Sequence, residues 1–171
     1  MRHLRILLAL TSLLLFAPLG AHAQSQNFTR SDIEYELELP SATWRSISRE
    51  DSVHNQVEFI NGDRLEGYLR VRKEVVAADT TAEELARRDQ DQNLRFLPGF
   101  VEGKVERFVG RLNGIVASYE FTRGGKPMAG RIYYLQADNR TIYTLHFTGL
   151  RDKLQRIRNQ TDYIARSFRL K

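Results

Sequence analysis

There is no cysteine in this chain of 171 residues, and that absence closes several routes at once. No disulfide can brace the fold, no thiolate can hold zinc, and no thiol can serve as a nucleophile. Proline is scarce, at 4 residues, and glycine numbers 11, so collagen-like and low-complexity architectures are excluded. Tryptophan occurs once, as Trp44, and histidine 4 times. His3 and His22 lie in the leading segment; His54 and His146 are far apart and form no helical ligand pair of the zinc-protease type. No serine stands in a Gly-x-Ser-x-Gly elbow. Gly124-Gly125-Lys126 runs into Pro127 and lacks the leading glycine of a phosphate loop, and Gly110 to Gly114 reads as a hairpin turn, not a dinucleotide fingerprint. The residues nominate no catalytic group, no metal ligand set and no cofactor.

Long apolar runs are also missing, with one exception. Ile6 to Leu19 carries no charge, follows Arg2 and Arg5, and ends in Pro18, Gly20 and the small-x-small sequence Ala21-His22-Ala23. That is the pattern of a Sec-type signal peptide over residues 1–23, with cleavage expected between Ala23 and Gln24. The run is shorter than the roughly 20 residues that span a bilayer, so a retained anchor is the weaker reading. The two arginines are not adjacent, which excludes a twin-arginine signal, and without cysteine no lipid can be attached at the cleavage site. The mature chain is expected to be soluble, and periplasmic or secreted. At about 150 residues it can bury roughly 70% of its unfolded surface without disulfides.

Removing the leader lowers the net charge from +5 to +3. Of the 26 basic residues 21 are arginine, a bias that suits bidentate anion recognition but also follows from genomic base composition.

Along the mature chain, residues 24–31 read as a polar, flexible lead-in, and residues 32–171 as one domain. Ile33, Tyr35, Leu37 and Leu39 alternate with Glu34, Glu36 and Glu38, the period of a strand with one buried face. Pro40 and Ser41 end it, and a short strand starts at Trp44. Val53 to Ile60 leads through Asn61-Gly62-Asp63, a strong hairpin signal, into a strand from Leu65 to about Val76. There Leu65, Gly67, Leu69 and Val71 share one face, and Glu66, Tyr68, Arg70 and Arg72 the other. Asp79-Thr80-Thr81 with Glu83 and Glu84 is a capping-box arrangement opening a helix to about Asn93; its apolar content is thin, so it is expected on the surface. A loop from Leu94 to Gly99 follows. Strands near Glu102–Val109, Ile115–Thr122, Gly130–Gln136 and Thr141–Thr148 come next, the last two apolar on both faces as central strands are. Leu150, Leu154, Ile157, Thr161, Ile164 and Phe168 then recur at helical spacing. The order predicts an α+β domain with a mainly antiparallel sheet.

Several polar groups invite a functional reading and carry a plainer one. His146, between Leu145 and Phe147, reads as a strand histidine with a satisfied hydrogen bond. Glu34, Glu36 and Glu38 fit the solvated face of a strand better than a hard-cation site. Arg151, Lys153, Arg156, Arg158 and Arg166 lie off the apolar stripe of the last helix. They read first as a solvated face and second as a surface for phosphate or anionic lipid; export argues against nucleic acid. Asn27, Asn139 and Asn159 head formal glycosylation sequons, which count only in a eukaryotic source.

The stretch Ile33 to Leu39, with Pro40-Ser41 and then Trp44, resembles the opening signature of the PsbP-like superfamily. That group includes the extrinsic PsbP subunit of photosystem II, a yeast Ran-binding import factor of the same fold, and DcrB-like periplasmic lipoproteins. Leu112-Asn113-Gly114 running into Tyr119 and Phe121 is similar to its Asn-Gly hairpin and aromatic strand. Tyr133-Tyr134, Leu145 to Thr148, a helix and Ser167-Phe168 resemble its closing pattern. The resemblance implies an α/β/α sandwich with an antiparallel sheet of about six strands flanked by helices. It also implies a module that binds proteins or small ligands without catalysis. It assigns no binding residue, because members bind unrelated partners through different surfaces. One departure stands out: DcrB-like relatives have a lipobox cysteine.

The leading expectation is an exported, non-enzymatic binding module whose partner is another envelope or secreted protein or a small ligand. The alternatives are a hydrolase or other enzyme with a site assembled from non-adjacent residues, and an anionic membrane-surface binder using the C-terminal helix.

Overall fold

The strict alternation at the start of the domain does what a period of two requires. Tyr35, Leu37 and Leu39 of strand β2 (Tyr35–Leu39) are buried, and Glu36 and Glu38 between them face outward, half-buried. The computed structural model describes residues 25–48 and 57–171; the signal segment and His54 lie outside the described residues. Strand β2 is the middle of a three-stranded antiparallel sheet, between β1 (Gln26–Phe28) and β10 (Arg169–Leu170). Within the stretch that polarity predicts to be a flexible lead-in, Gln26–Phe28 is thus a strand. Phe28 is buried, its ring edge-on to Phe59 with centroids 4.8 Å apart, and that contact fixes β1.

Seven strands form the main sheet: β3 (Trp44–Ser48), β4 (Val57–Asn61), β5 (Asp63–Val75), β6 (Val101–Phe108), β7 (Gly114–Arg123), β8 (Lys126–Gln136) and β9 (Thr141–Leu150). All neighbours are antiparallel, in the order β3-β4-β5-β9-β8-β7-β6. The architecture is the expected α+β sandwich, with seven strands in the main sheet and three in the second where about six in all are predicted. Between β7 and β8 the turn is Gly124-Gly125, both with positive φ, as a two-residue hairpin loop matched to strand twist demands.

The chain leaves β5 and crosses to the far edge of the sheet through helix α1 (Ala82–Gln92) and a 3₁₀ turn, Leu94–Phe96, within the stretch predicted as loop. It returns by hairpins until β9 pairs with β5. Helix α1 starts at Thr81 with a complete capping box: the Thr81 hydroxyl accepts from the Glu84 amide, and the Glu84 carboxylate accepts from the Thr81 amide. It presses only Ala82, Leu85 and Ala86 onto the sheet, mainly over β7 and β8, against Ile115, Ile132, Tyr134 and Ile142. The same face of β4 and β5 has no helix over it among the described residues.

The opposite face carries the larger core, where Leu69, Tyr133, Leu135, Leu145 and Phe147 meet Leu37, Trp44, Leu154, Ile164 and Phe168. The apolar stripe from Leu154 to Phe168 lies on this core, whereas Leu150, expected to head it, ends β9 and packs against the smaller core; the helix, moreover, is not continuous. It divides at Ile157 into α2 (Arg151–Arg156) and α3 (Arg158–Ser167). Beneath α3, Arg131 is held by Tyr133 Oη at 2.7 Å and Asp162 at 2.8 Å. Asp162 also accepts from the Tyr133 hydroxyl at 2.5 Å, so this buried charge is paired and hydrogen-bonded throughout.

Candidate functional site

Because α1 crosses over β7 and β8 and leaves β5 uncovered, a recess of about 400 Å³ opens between the helix and the β5–β9–β8 surface. Strand register brings its floor together. Arg70 stands opposite His146, which stands opposite Ile132; one row along, Arg72 faces Thr144, which faces Tyr134. Arg88, Asp89 and Gln92 close it from α1.

The floor is fixed by hydrogen bonds, and of its cations Arg70 is engaged by the Tyr68 side chain and stands opposite Glu58. Tyr134 donates to Asp89 Oδ2 at 2.7 Å, and Asn93 Nδ2 donates to Asp89 Oδ1 at 2.7 Å. Tyr119 Oη and His146 Nε2 are 2.6 Å apart. Removal from water pushes His146 down to about 4, helped by Arg70, Arg72 and Arg123 and opposed by Asp89. Burial raises the Tyr119 and Tyr134 hydroxyls above the usual tyrosine range, with Asp89 adding to both. Arg70 lies beside the Tyr68 ring, and its buried Nε finds no hydrogen-bond partner among the described residues. Arg72 and Arg88 are exposed and enter no ion pair among those residues.

The arginines of the C-terminal helices are disposed differently. Arg151 pairs with Glu120 at 3.3 Å, Arg156 with Asp152 at 2.7 Å, and Arg158 with Glu106 at 3.3 Å; Lys153 pairs with Glu66 at 2.8 Å. Arg166 lies over the Phe108 ring. A smaller cavity of about 260 Å³ sits on this face, beside α2, and two of its arginines, Arg131 and Arg158, already have carboxylate partners. The glutamates of β2 and its approach are also engaged: Glu34 with Lys73 at 2.7 Å, Glu36 with Arg169, and Glu38 with the Tyr163 hydroxyl at 2.6 Å. The Lys73 ammonium is the main cause that holds Glu34 below the usual carboxylate range. No group of three or more His, Asp or Glu residues suited to a metal ion occurs among the described residues. No helix among them is long and apolar enough to cross a membrane.

Sequence reading places Arg70 and Arg72 on the polar face of their strand and gives His146 a hydrogen-bonded place on its own. It does not bring the three together, nor add Arg88. That convergence comes from β9 pairing with β5 across some 70 residues of intervening chain.

No protein-family model and no curated protein matches the chain. Solved structures do. A cyanobacterial PsbP (CyanoP) from Synechocystis superposes with a TM-score of 0.58 at 15% identity, over 91% of this chain and 96% of that one. LpqN, involved in cell envelope biogenesis of Mycobacterium tuberculosis, gives 0.54 at 15% identity over 85% and 89%. A Pseudomonas aeruginosa protein gives 0.51 at 12% identity over 84% and 94%. Likeness at these identities is likeness of fold, and on it the chain has the PsbP-like fold.

Proposed function

We propose that this is an exported binding module without catalysis of its own, and that it engages its partner or ligand at the recess under α1. The observation that carries the reading is a concave site whose polar groups converge without forming a nucleophile and an active base. His146 is the one imidazole there among the described residues, and at about 4 it is too weak a base for neutral pH, where a general base works best near the operating pH. Its neighbour Tyr119 is buried with its hydroxyl raised, the reverse of an activated nucleophile. Export is supported by the leader pattern of residues 1–23, and by the likeness to LpqN, described as involved in cell envelope biogenesis. The C-terminal helices are the weaker candidate surface, because three of their arginines and Lys153 are already paired with carboxylates.

Three measurements test this. Intact mass of the exported protein should correspond to a chain beginning at Gln24. A photo-crosslinking residue in place of Gln92 should label ligand or partner in envelope preparations, and one in place of Arg156 should not; equal labelling at both removes the recess from its role. Turnover of activated phosphate and carboxylate esters should not exceed background. Turnover that disappears in His146→Gln would establish the hydrolase alternative instead.

A further inference from the structure

We infer that the recess receives a compact oxyanion, a carboxylate or phosphate group carried on a small soluble molecule. This rests on the recess being the binding site, and it is argued from how the chain treats its arginines.

Arg70 and Arg131 make the contrast. Both project from the main sheet, on opposite faces, and both place their Nε away from water. Arg131 Nε donates to Tyr133 Oη and its Nη2 to Asp162, so that side chain is satisfied from within the fold. Arg70 Nε is buried with no acceptor among the described residues. A buried donor without an acceptor is costly and uncommon in folded proteins. An acceptor brought in from outside accounts for it.

The surroundings point to the sign of that acceptor. Eight of the 18 described arginines sit in ion pairs; of the ten that do not, Arg70, Arg72 and Arg88 converge on one recess. Both oxygens of Asp89 accept from neutral donors, and Glu74 stands at the end of the row beyond Arg72. Guanidinium groups offer planar, paired N–H donors that match carboxylate and phosphate oxygens. The Thr144 hydroxyl and Gln92 amide line the same space and add neutral donors. Size and enclosure decide between sources. A cavity of about 400 Å³ is within the range that holds small molecules, and a site under α1 is poorly placed to meet a flat bilayer.

The test uses the mature protein and follows the Arg70 Nε–H signal by ¹⁵N NMR, with calorimetry, during titration with inorganic phosphate and separately with succinate. Saturable binding of at least one ion should move that signal, and should weaken about tenfold in Arg70→Gln and in Arg72→Gln. Arg88→Gln should weaken it less, and Arg156→Gln, on the far face, should leave it unchanged. Arg72 and Arg88 are exposed, so their variants decide the matter even if Arg70→Gln does not fold. No response to either ion at millimolar concentration overturns the inference. So does binding that survives Arg72→Gln and Arg88→Gln, or binding only to vesicles containing phosphatidylglycerol. Labelling at position 92 without any anion response would remove the oxyanion while keeping the recess as the binding site; absence of both would remove the recess as well.

Discussion

The Trp44 indole donates its Nε1–H to the Gln160 side-chain oxygen at 2.7 Å, which ties edge strand β3 to helix α3. The rest of the ring is apolar packing, edge-on to Phe147 with centroids 6.1 Å apart, and Trp44 is 1% exposed. Trp44→Ala removes both links and should cost roughly 3–5 kcal/mol. Trp44→Phe keeps much of the packing and strands the Gln160 oxygen, for about 1–2 kcal/mol. Urea denaturation orders the three proteins; an unchanged midpoint in Trp44→Ala would show that the strand and helix are held together elsewhere.

Leu154 and Arg156 sit two positions apart on α2 and should behave oppositely. Leu154 is buried at 4% exposure against the larger core, so Leu154→Ala should cost about 2–5 kcal/mol. Arg156 pairs with Asp152 in solvent, with both side chains more than 60% exposed, and such pairs contribute about 0–1 kcal/mol. Arg156→Ala should leave the thermal midpoint within a degree or two of the parent. A large loss there would mean that the exposed pair supports something the packing does not.

What the residues announce and what they conceal divide along a physical line. Local patterns are legible: the alternation through β2, the Thr81 and Glu84 capping box, and the stripe from Leu154 to Phe168. The first two are set by a spacing within one element, and the third by a helical period that α2 and α3 share. The break at Ile157 is not legible, because residues on both sides keep to the same stripe and the apolar pattern passes through it. Strand β1 is hidden for another reason: three residues carry no usable period, and Phe28 is buried by a contact with Phe59 made only in the folded chain. The recess is hidden most completely. Its arginines come from β5 and α1 and its histidine from β9, and only the crossover of α1 and the pairing of β9 with β5 bring them together.

His146 should leave a signature in the pH dependence of stability. In the folded chain it stays neutral down to about pH 4, whereas the unfolded chain takes up its proton near 6.5. The unfolded state therefore binds more protons between these values, so this contribution is complete above pH 6.5 and is lost as pH falls toward 4. Below that it levels off. His146→Gln can still hydrogen-bond to Tyr119 but cannot titrate. The stability difference between parent and variant should thus shrink or reverse across the window from pH 7 to 4. Parallel urea curves for the two proteins throughout would show that His146 titrates normally and is well hydrated.

Gly130 explains why Tyr119 can reach His146 at all. The two residues Tyr119 and Gly130 are direct partners across β7 and β8, and the tyrosine ring lies over the glycine so closely that a Cβ there would fall inside it. Gly130→Ala must push the ring away, and since Tyr119 is 3% exposed and packed beside Phe100 and Phe121, there is little room to receive it. The cost should be roughly 1–3 kcal/mol, as overpacking a core usually is. Displacing Tyr119 also takes its hydroxyl from His146 and opens the imidazole to water, so the histidine should titrate closer to its ordinary value of 6.5. Gly124→Ala is the matched control. Its position is open space with φ of +55°, so the change costs only backbone strain of about 1–2 kcal/mol and should leave His146 untouched. The imidazole proton shifts followed by NMR against pH separate the two variants. A His146 midpoint that does not move in Gly130→Ala would mean that the tyrosine plays no part in keeping that side chain neutral.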